Sequence, residues 1–241
     1  MKKSMLKKLA ICSVLATSIA IGGFFGFKKI DEMKRENAVK NSSLYSYVMS
    51  KKPLEEERYI ITNKYRGSED TQIVIIDTSG AREWIFRCFR DDPKALAEFE
   101  TLTTDRKKDS LILNVVATTL NKKYVTPSDD MLDKLLYTKK VLRPSDIFGG
   151  PVACYTVSVA VAGVASTLGV PSQLFRIDNI DHPYHSVLML GGSCAGLVVD
   201  IAGPEYGQPL VVDTHKFFTY DCWGIGFREG FYILQKEKKI K

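Results

Sequence analysis

Between Cys154 and Leu168 the chain runs for 15 residues without a charged side chain, and Gly169-Val170-Pro171 closes the run. A buried strand normally ends well short of that length, so a helix apolar on most of its faces is the fitting element. Such a helix has no solvent side and must lie at the centre of the fold. Gly163 within it costs about 1 kcal/mol relative to alanine, which points to a close neighbour at that position. The segment before it, Arg143-Pro144-Ser145-Asp146-Ile147-Phe148-Gly149-Gly150-Pro151, reads as a loop by its prolines and glycines.

Helices are expected mainly before this segment and strands mainly after it. Gln72–Asp77 is short and β-branched and ends at the turn Thr78-Ser79-Gly80, so it reads as a strand, with Arg82–Phe89 as a possible second one. Asp91-Asp92-Pro93 opens a helix, with acidic residues before a first-turn proline. Helical spacing continues through Leu96, Phe99 and Leu102, resumes from Leu111 to Leu120, and returns in Asp129–Leu136. Downstream, strands are expected at Gln173–Ile177, Ser186–Leu190, Leu197–Ile201, Leu210–Asp213, Phe217–Tyr220 and Phe231–Leu234, at hairpin-like intervals. Helices first and an antiparallel sheet afterwards make an α+β fold.

The N-terminus has a different character. Lys2, Lys3, Lys7 and Lys8 precede an uncharged run from Leu9 to Phe27, which Lys28 and Lys29 end. As a helix this run would reach roughly 28 Å, close to the ~30 Å hydrocarbon core of a bilayer. The expectation is an N-terminal transmembrane helix within 1–29, a signal peptide cut after Ala20 being the rival. The lysines before the run favour a single-pass membrane protein with an extracytoplasmic domain. Residues 30–58, rich in Lys, Glu, Asn and Ser, read as a linker or stalk or as a loosely ordered helix, and 59–241 as the folded domain. The formal charge of +6 gathers at the two ends of the chain without interleaved aromatic residues, so no nucleic-acid partner is indicated. Five cysteines without a CxxC pair suggest neither a disulfide scaffold nor a zinc site. No metal or cofactor is expected. Cys88, Cys194 and Cys222 read as structural or paired.

Cys154 stands directly after the glycine-rich loop, at the start of the central helix. A helix N-terminus carries about half a positive charge, which favours thiolate over thiol. The unpaired N–H groups of the first turn are placed to hold an oxyanion. A thiolate nucleophile needs a base, and the base needs an orienting acceptor. Of the three histidines, His182, His185 and His215, the first falls in loop-like sequence, whereas His185 opens an apolar strand. Asp200 ends the next strand, and a hairpin turning at Gly191-Gly192 would bring it to the same sheet end as His185. Asp213 is the rival acid. A buried cysteine is usually an inert small hydrophobe, so Cys154 is singled out by its placement rather than its type.

Cys154 with Gly149-Gly150 before it, Leu168-Gly169-Val170-Pro171 after it, His185-Ser186-Val187 and Val199-Asp200 form an ordered set. The spacing from Cys154 to Gly169 is 15 residues, as is that from His185 to Asp200. This set, together with a helix closing on Asn121-Lys122-Lys123-Tyr124, resembles the transglutaminase-like superfamily over residues 110–205. The resemblance implies a papain-like core in which a central helix bearing Cys154 packs on an antiparallel sheet. It also implies a Cys154–His185–Asp200 triad acting on an amide in a protein or peptide substrate. Three features depart from the family pattern. Val152 stands where glycine is usual, Ser186 where an aromatic residue follows the histidine, and Ile201-Ala202 where Pro-Thr follows the acid. A catalytically inactive module binding peptide or glycan is the alternative.

Overall fold

The computed structural model describes residues 29–65, 68–122, 141–148, 154–177, 185–200, 210–215 and 231–233. Residues 29–40 form a helix, α1. Helix α2, Ser43–Ser50, follows it, with the Ser42 hydroxyl accepting from the Tyr45 N–H as its N-cap. Val39, Leu44 and Val48 are buried in the main core, so the segment expected as a stalk is part of the folded body. Its apolar positions are few and widely spaced, which hides them in a Lys- and Glu-rich stretch.

Strands β1, Glu57–Tyr65, and β2, Ser68–Ile76, pair antiparallel in a long hairpin. The turn at Thr78–Gly80 ends this unit as its residues suggest, but the strand expected over Arg82–Phe89 is a helix, α3, Ala81–Asp91. Ala81, Trp84, Ile85, Cys88 and Phe89 are its buried residues, a 3.6-residue spacing that places them on one face. The spacing of these buried positions is that of a helix and not of a strand. Asp92 caps α4, Pro93–Thr101, through Ala95 N–H, with proline in the first turn. Thr104 caps α5, Asp105–Asn121. The helix expected over Asp129–Leu136 and the strand over Phe217–Tyr220 lie outside the described residues.

Strand β3, Val141–Leu142, returns to pair parallel with β2 and completes a sheet of order β1-β2-β3. A single 3-10 turn, Pro144–Asp146, then leads toward α6, Cys154–Thr167. The remaining strands are β4, Ser172–Ile177; β5, His185–Leu190; β6, Leu197–Val199; β7, Val211–Asp213; and β8, Phe231–Ile233. They form an antiparallel sheet of order β7-β6-β5-β4-β8. Helix α6 packs against β4 and β5 on one side and against β2, α3 and α5 on others. Val157, Val159, Ala160, Val161, Ala162, Val164 and Ala165 are all at most 1% exposed, which accounts for the uncharged run. Leu174, Leu188 and Val199 bring the larger sheet into the same core, and the alternating Val187, Val198 and Val212 are buried as well. The architecture is α+β.

One part of the expected fold is corrected. Among the described residues no helix is long and apolar enough to cross a membrane. Helix α6 is apolar throughout, but its 14 residues reach only about 21 Å and are enclosed by protein. The longest helix among the described residues, α5, starts with five charged residues, Asp105 to Asp109. The N-terminal transmembrane helix and the single-pass membrane placement therefore do not stand. The run Leu9–Phe27 from which they were argued lies outside the described residues.

Candidate active site

Cys154 is the first residue of α6. The helix ends in a Schellman arrangement: Val170 N–H donates to Ala165 O at 2.9 Å and Gly169 N–H to Ser166 O at 3.1 Å. Gly169 takes a φ of 73°, the left-handed conformation that such an ending requires. Along the helix, Gly163 has the close neighbour its sequence context implied. A Cβ there would lie 2.5 Å from Pro144 Cγ and 2.9 Å from Asp77 O. The loop toward Cys154 thus begins pressed against the helix that Cys154 starts. The Arg143 guanidinium, hydrogen-bonded to the Asp77 carboxylate, secures the same point, and Ser79 N–H donates to Asp77 Oδ1 at 3.1 Å.

Two buried hydrogen bonds tie the first turn of α6 to its surroundings. Tyr155 Oη donates to Gln72 Oε1 on β2 at 3.2 Å, and Ser158 Oγ donates to the Ser186 carbonyl on β5 at 3.2 Å. Gln72, Ser158 and Ser186 are all at most 3% exposed. Ser158 is one turn, about 6 Å of helix rise, beyond Cys154. Ser186 is the neighbour in sequence of His185.

His185 is the first residue of β5 and pairs with Ile177, the last residue of β4. Strands β5 and β6 pair Leu188 with Val199 and Met189 with Val198. One step further, Asp200 falls opposite Val187, which sets it diagonally across the ladder from His185. Asp200 is 1% exposed, and its N–H donates to Leu210 O at 2.8 Å. The rival Asp213 pairs with Leu197, at the other end of β6, beside the turn at Gly191–Gly196. It is exposed and its carboxylate accepts from His215 N–H at 2.8 Å. Register therefore sets Asp200, and not Asp213, at the His185 end of the sheet. His215 lies next to Asp213 at the far end and is exposed, and His182 is outside the described residues.

The buried carboxylate of α5 was not singled out in the sequence. Asp109, 0% exposed, accepts from Tyr47 Oη at 2.9 Å and from Ser193 Oγ at 2.6 Å. Lys51 Nζ stands 3.5 Å from it and 3.0 Å from Asp105. Lys51 holds the Asp105 carboxyl below its ordinary range, chiefly by their hydrogen bond. Burial, with Asp109 beside it, pushes the Tyr47 hydroxyl well up. Arg106 adds hydrogen bonds to the carbonyls of Ser193 and Ala195. This network joins α2, α5 and the β5–β6 turn, at the sheet end away from His185. Its signal was legible: Asp109, Ile112, Leu113, Val116 and Leu120 follow helical spacing, so a carboxylate sits in line with core positions. Gln72 similarly shares the alternation of Val74 and Ile76, both buried.

Cys88 and Cys194 are buried thiols, and burial pushes the Cys194 thiol up. Cys222 lies outside the described residues. Among the described residues no group of three or more His, Cys, Asp or Glu side chains could hold a metal ion. A cleft of about 370 Å³ lined by Tyr45, Phe86, Arg87 and Arg90 lies between α1 and α3, away from the start of α6. Comparison with protein-family models, with curated proteins and with solved structures gives no match.

Proposed function

We propose that the domain carries out thiol-dependent acyl transfer on an amide bond of a protein or peptide, in the manner of the transglutaminase-like superfamily that its motifs resemble. Cys154 attacks the acyl carbon as thiolate, His185 takes the proton and returns it to the leaving amine, and Asp200 orients the imidazole. The N–H groups at the start of α6 stabilise the oxyanion. Water as acceptor makes the reaction a hydrolysis, and an amine makes it a transamidation; hydrolysis is preferred because nothing marks an amine site. The observation that carries the reading is the Ser158–Ser186 hydrogen bond. It ties the helix one turn from Cys154 to the strand one residue from His185, while the β5–β6 register brings Asp200 to that end.

The test is the alkylation rate of Cys154 against pH, with hydrolysis of peptide amides followed in parallel. A nucleophile of this kind reacts with iodoacetamide well below the ordinary thiol pKa of about 8.5. Cys154→Ala should abolish both the fast alkylation and the hydrolysis. Fast alkylation that persists in Cys154→Ala moves the nucleophile elsewhere and ends the proposal.

A second reading, a catalytically silent module that binds peptide or glycan, has one observation in its favour. Alternation along β5 gives position 185 the parity of Val187, whereas Leu188 belongs to the core that includes α6. An imidazole serving Cys154 requires β5 to leave that alternation at its first residue. A sulfur-to-imidazole separation within about 4 Å supports the enzyme, and one near 8 Å supports binding alone.

A further inference from the structure

We infer that Tyr155 and Ser158 form a two-point clamp that positions Cys154, fixing the first turn of α6 between β2 and β5; this rests on the acyl-transfer reading above. Both side chains are buried and both donate hydrogen bonds across elements, Tyr155 to the Gln72 carboxamide and Ser158 to the Ser186 carbonyl. A serine inside a helix ordinarily bonds back to the carbonyl one turn earlier. Ser158 also reaches the neighbouring strand, donating to the Ser186 carbonyl. Gln72 is a buried carboxamide that shares its alternation with the buried Val74 and Ile76, and such a group is costly to bury without partners.

The two anchors are three residues apart, so they lie nearly in line along the helix. They hold it on two different sheets at the end where the chain enters. Together they restrict rotation and sliding of the first turn, the two motions that would change the distance from Cys154 to His185. They also hold the turn whose N–H groups define the positive end of the helix. Neither residue touches substrate in this scheme. They are positioning residues.

The experiment measures Cys154 alkylation by iodoacetamide as a function of pH, in the whole protein, for Tyr155→Phe, Ser158→Ala and Ser158→Thr, with Cys154→Ala as control. Near-ultraviolet circular dichroism and thermal melting are recorded on each. The clamp requires folded Tyr155→Phe and Ser158→Ala proteins whose alkylation at pH 7 falls about threefold to tenfold, the range one net hydrogen bond supports. Their profiles should be displaced to higher pH, and Ser158→Thr, which keeps the hydroxyl, should restore the wild-type profile. Melting temperatures that fall while the profiles stay in place would show two ordinary core hydrogen bonds and overturn the clamp. Should Ser158→Ala fail to fold, Tyr155→Phe, which loses one oxygen and no volume to speak of, decides the matter alone. Wild-type alkylation as slow as that of an ordinary thiol, or undiminished in Cys154→Ala, would fail the acyl-transfer reading itself and remove the clamp with it.

Discussion

Replacing Gly163 by alanine sets two effects of opposite sign against each other. In an exposed helix the change stabilises by about 1 kcal/mol, because glycine loses more backbone freedom on folding. Here the added methyl would lie 2.5 Å from Pro144 Cγ, 2.7 Å from Pro144 Cβ and 2.9 Å from Asp77 O. None of these atoms is the tip of a flexible side chain: two belong to a proline ring and one to the backbone. The loop must retreat by most of an ångström, and it is held by the Arg143–Asp77 ion pair. Overpacking of this kind costs about 1–3 kcal/mol, and the rigid contacts place this case in the upper half. The expected net loss is about 1–2 kcal/mol, or roughly 2–8 °C in melting temperature for a chain of this size. Guanidinium unfolding of Gly163→Ala should show a lower midpoint at unchanged slope. Adding Pro144→Gly should recover part of the loss, since it removes both ring carbons that the methyl strikes while the Asp77 O contact stays, and the two changes should be strongly coupled. A midpoint for Gly163→Ala equal to or above wild type would refute the reasoning, because helix propensity would then have won and the loop would not be pressed against α6.

Asp109→Ala should destabilise by about 2 kcal/mol in chemical denaturation, since it takes the acceptor from the half-buried hydroxyls of Tyr47 and Ser193 and leaves Lys51 with Asp105 alone, and a loss under about 1 kcal/mol would show that the network relaxes freely. Asp105 has a carboxyl pKa lowered by Lys51. Its folded value lies under its unfolded value, so its contribution to stability is present above about pH 4 and is lost as pH falls through the folded value. The stability gap between wild type and Lys51→Met should therefore narrow on acidification, and a gap constant from pH 7 to pH 2 would contradict the pairing. Cys194, buried with its thiol pushed up, should react with a thiol-exchange reagent at pH 7 only on unfolding. Peptide mapping that finds native Cys194 labelled quickly would contradict its burial. Gly169→Ala should destabilise by about 1–2 kcal/mol in urea unfolding, given its φ of 73° and Lys52 O 2.9 Å from the position of a Cβ. A neutral result there would mean the helix can end without the left-handed residue.

The sequence alone determined those elements whose signals lie within one segment. The uncharged run and its glycine stop delimit α6 to within a residue, and Asp92-Pro93 marks the start of α4. Short apolar runs punctuated by turn residues placed β4, β5, β6 and β7, because each strand and its turns are adjacent in the chain, and local patterning is enough to specify a hairpin. The positions of Cys154 at a helix start and of His185 at a strand start were legible for the same reason. Tertiary structure decided whatever depends on distant partners. Helix α3 stands where a strand is expected, because its apolar and aromatic residues suit either element until packing selects the face. Leu44 and Val48 became core because α4 packs against α2. The parallel pairing of β3 with β2 joins Val141 to Ile73, and β8 reaches back to β4, both across long stretches of chain. Which of Asp200 and Asp213 lies at the His185 end of the sheet needed the β5–β6 and β6–β7 registers, since both acids close similar apolar runs. Gln72 and Asp109 show the same limit: a polar residue in line with core positions signals burial, but its hydrogen-bond partners lie 83 and 62 or more residues away. Local propensity and periodicity act over a turn or a strand, whereas burial and pairing are properties of the assembled core.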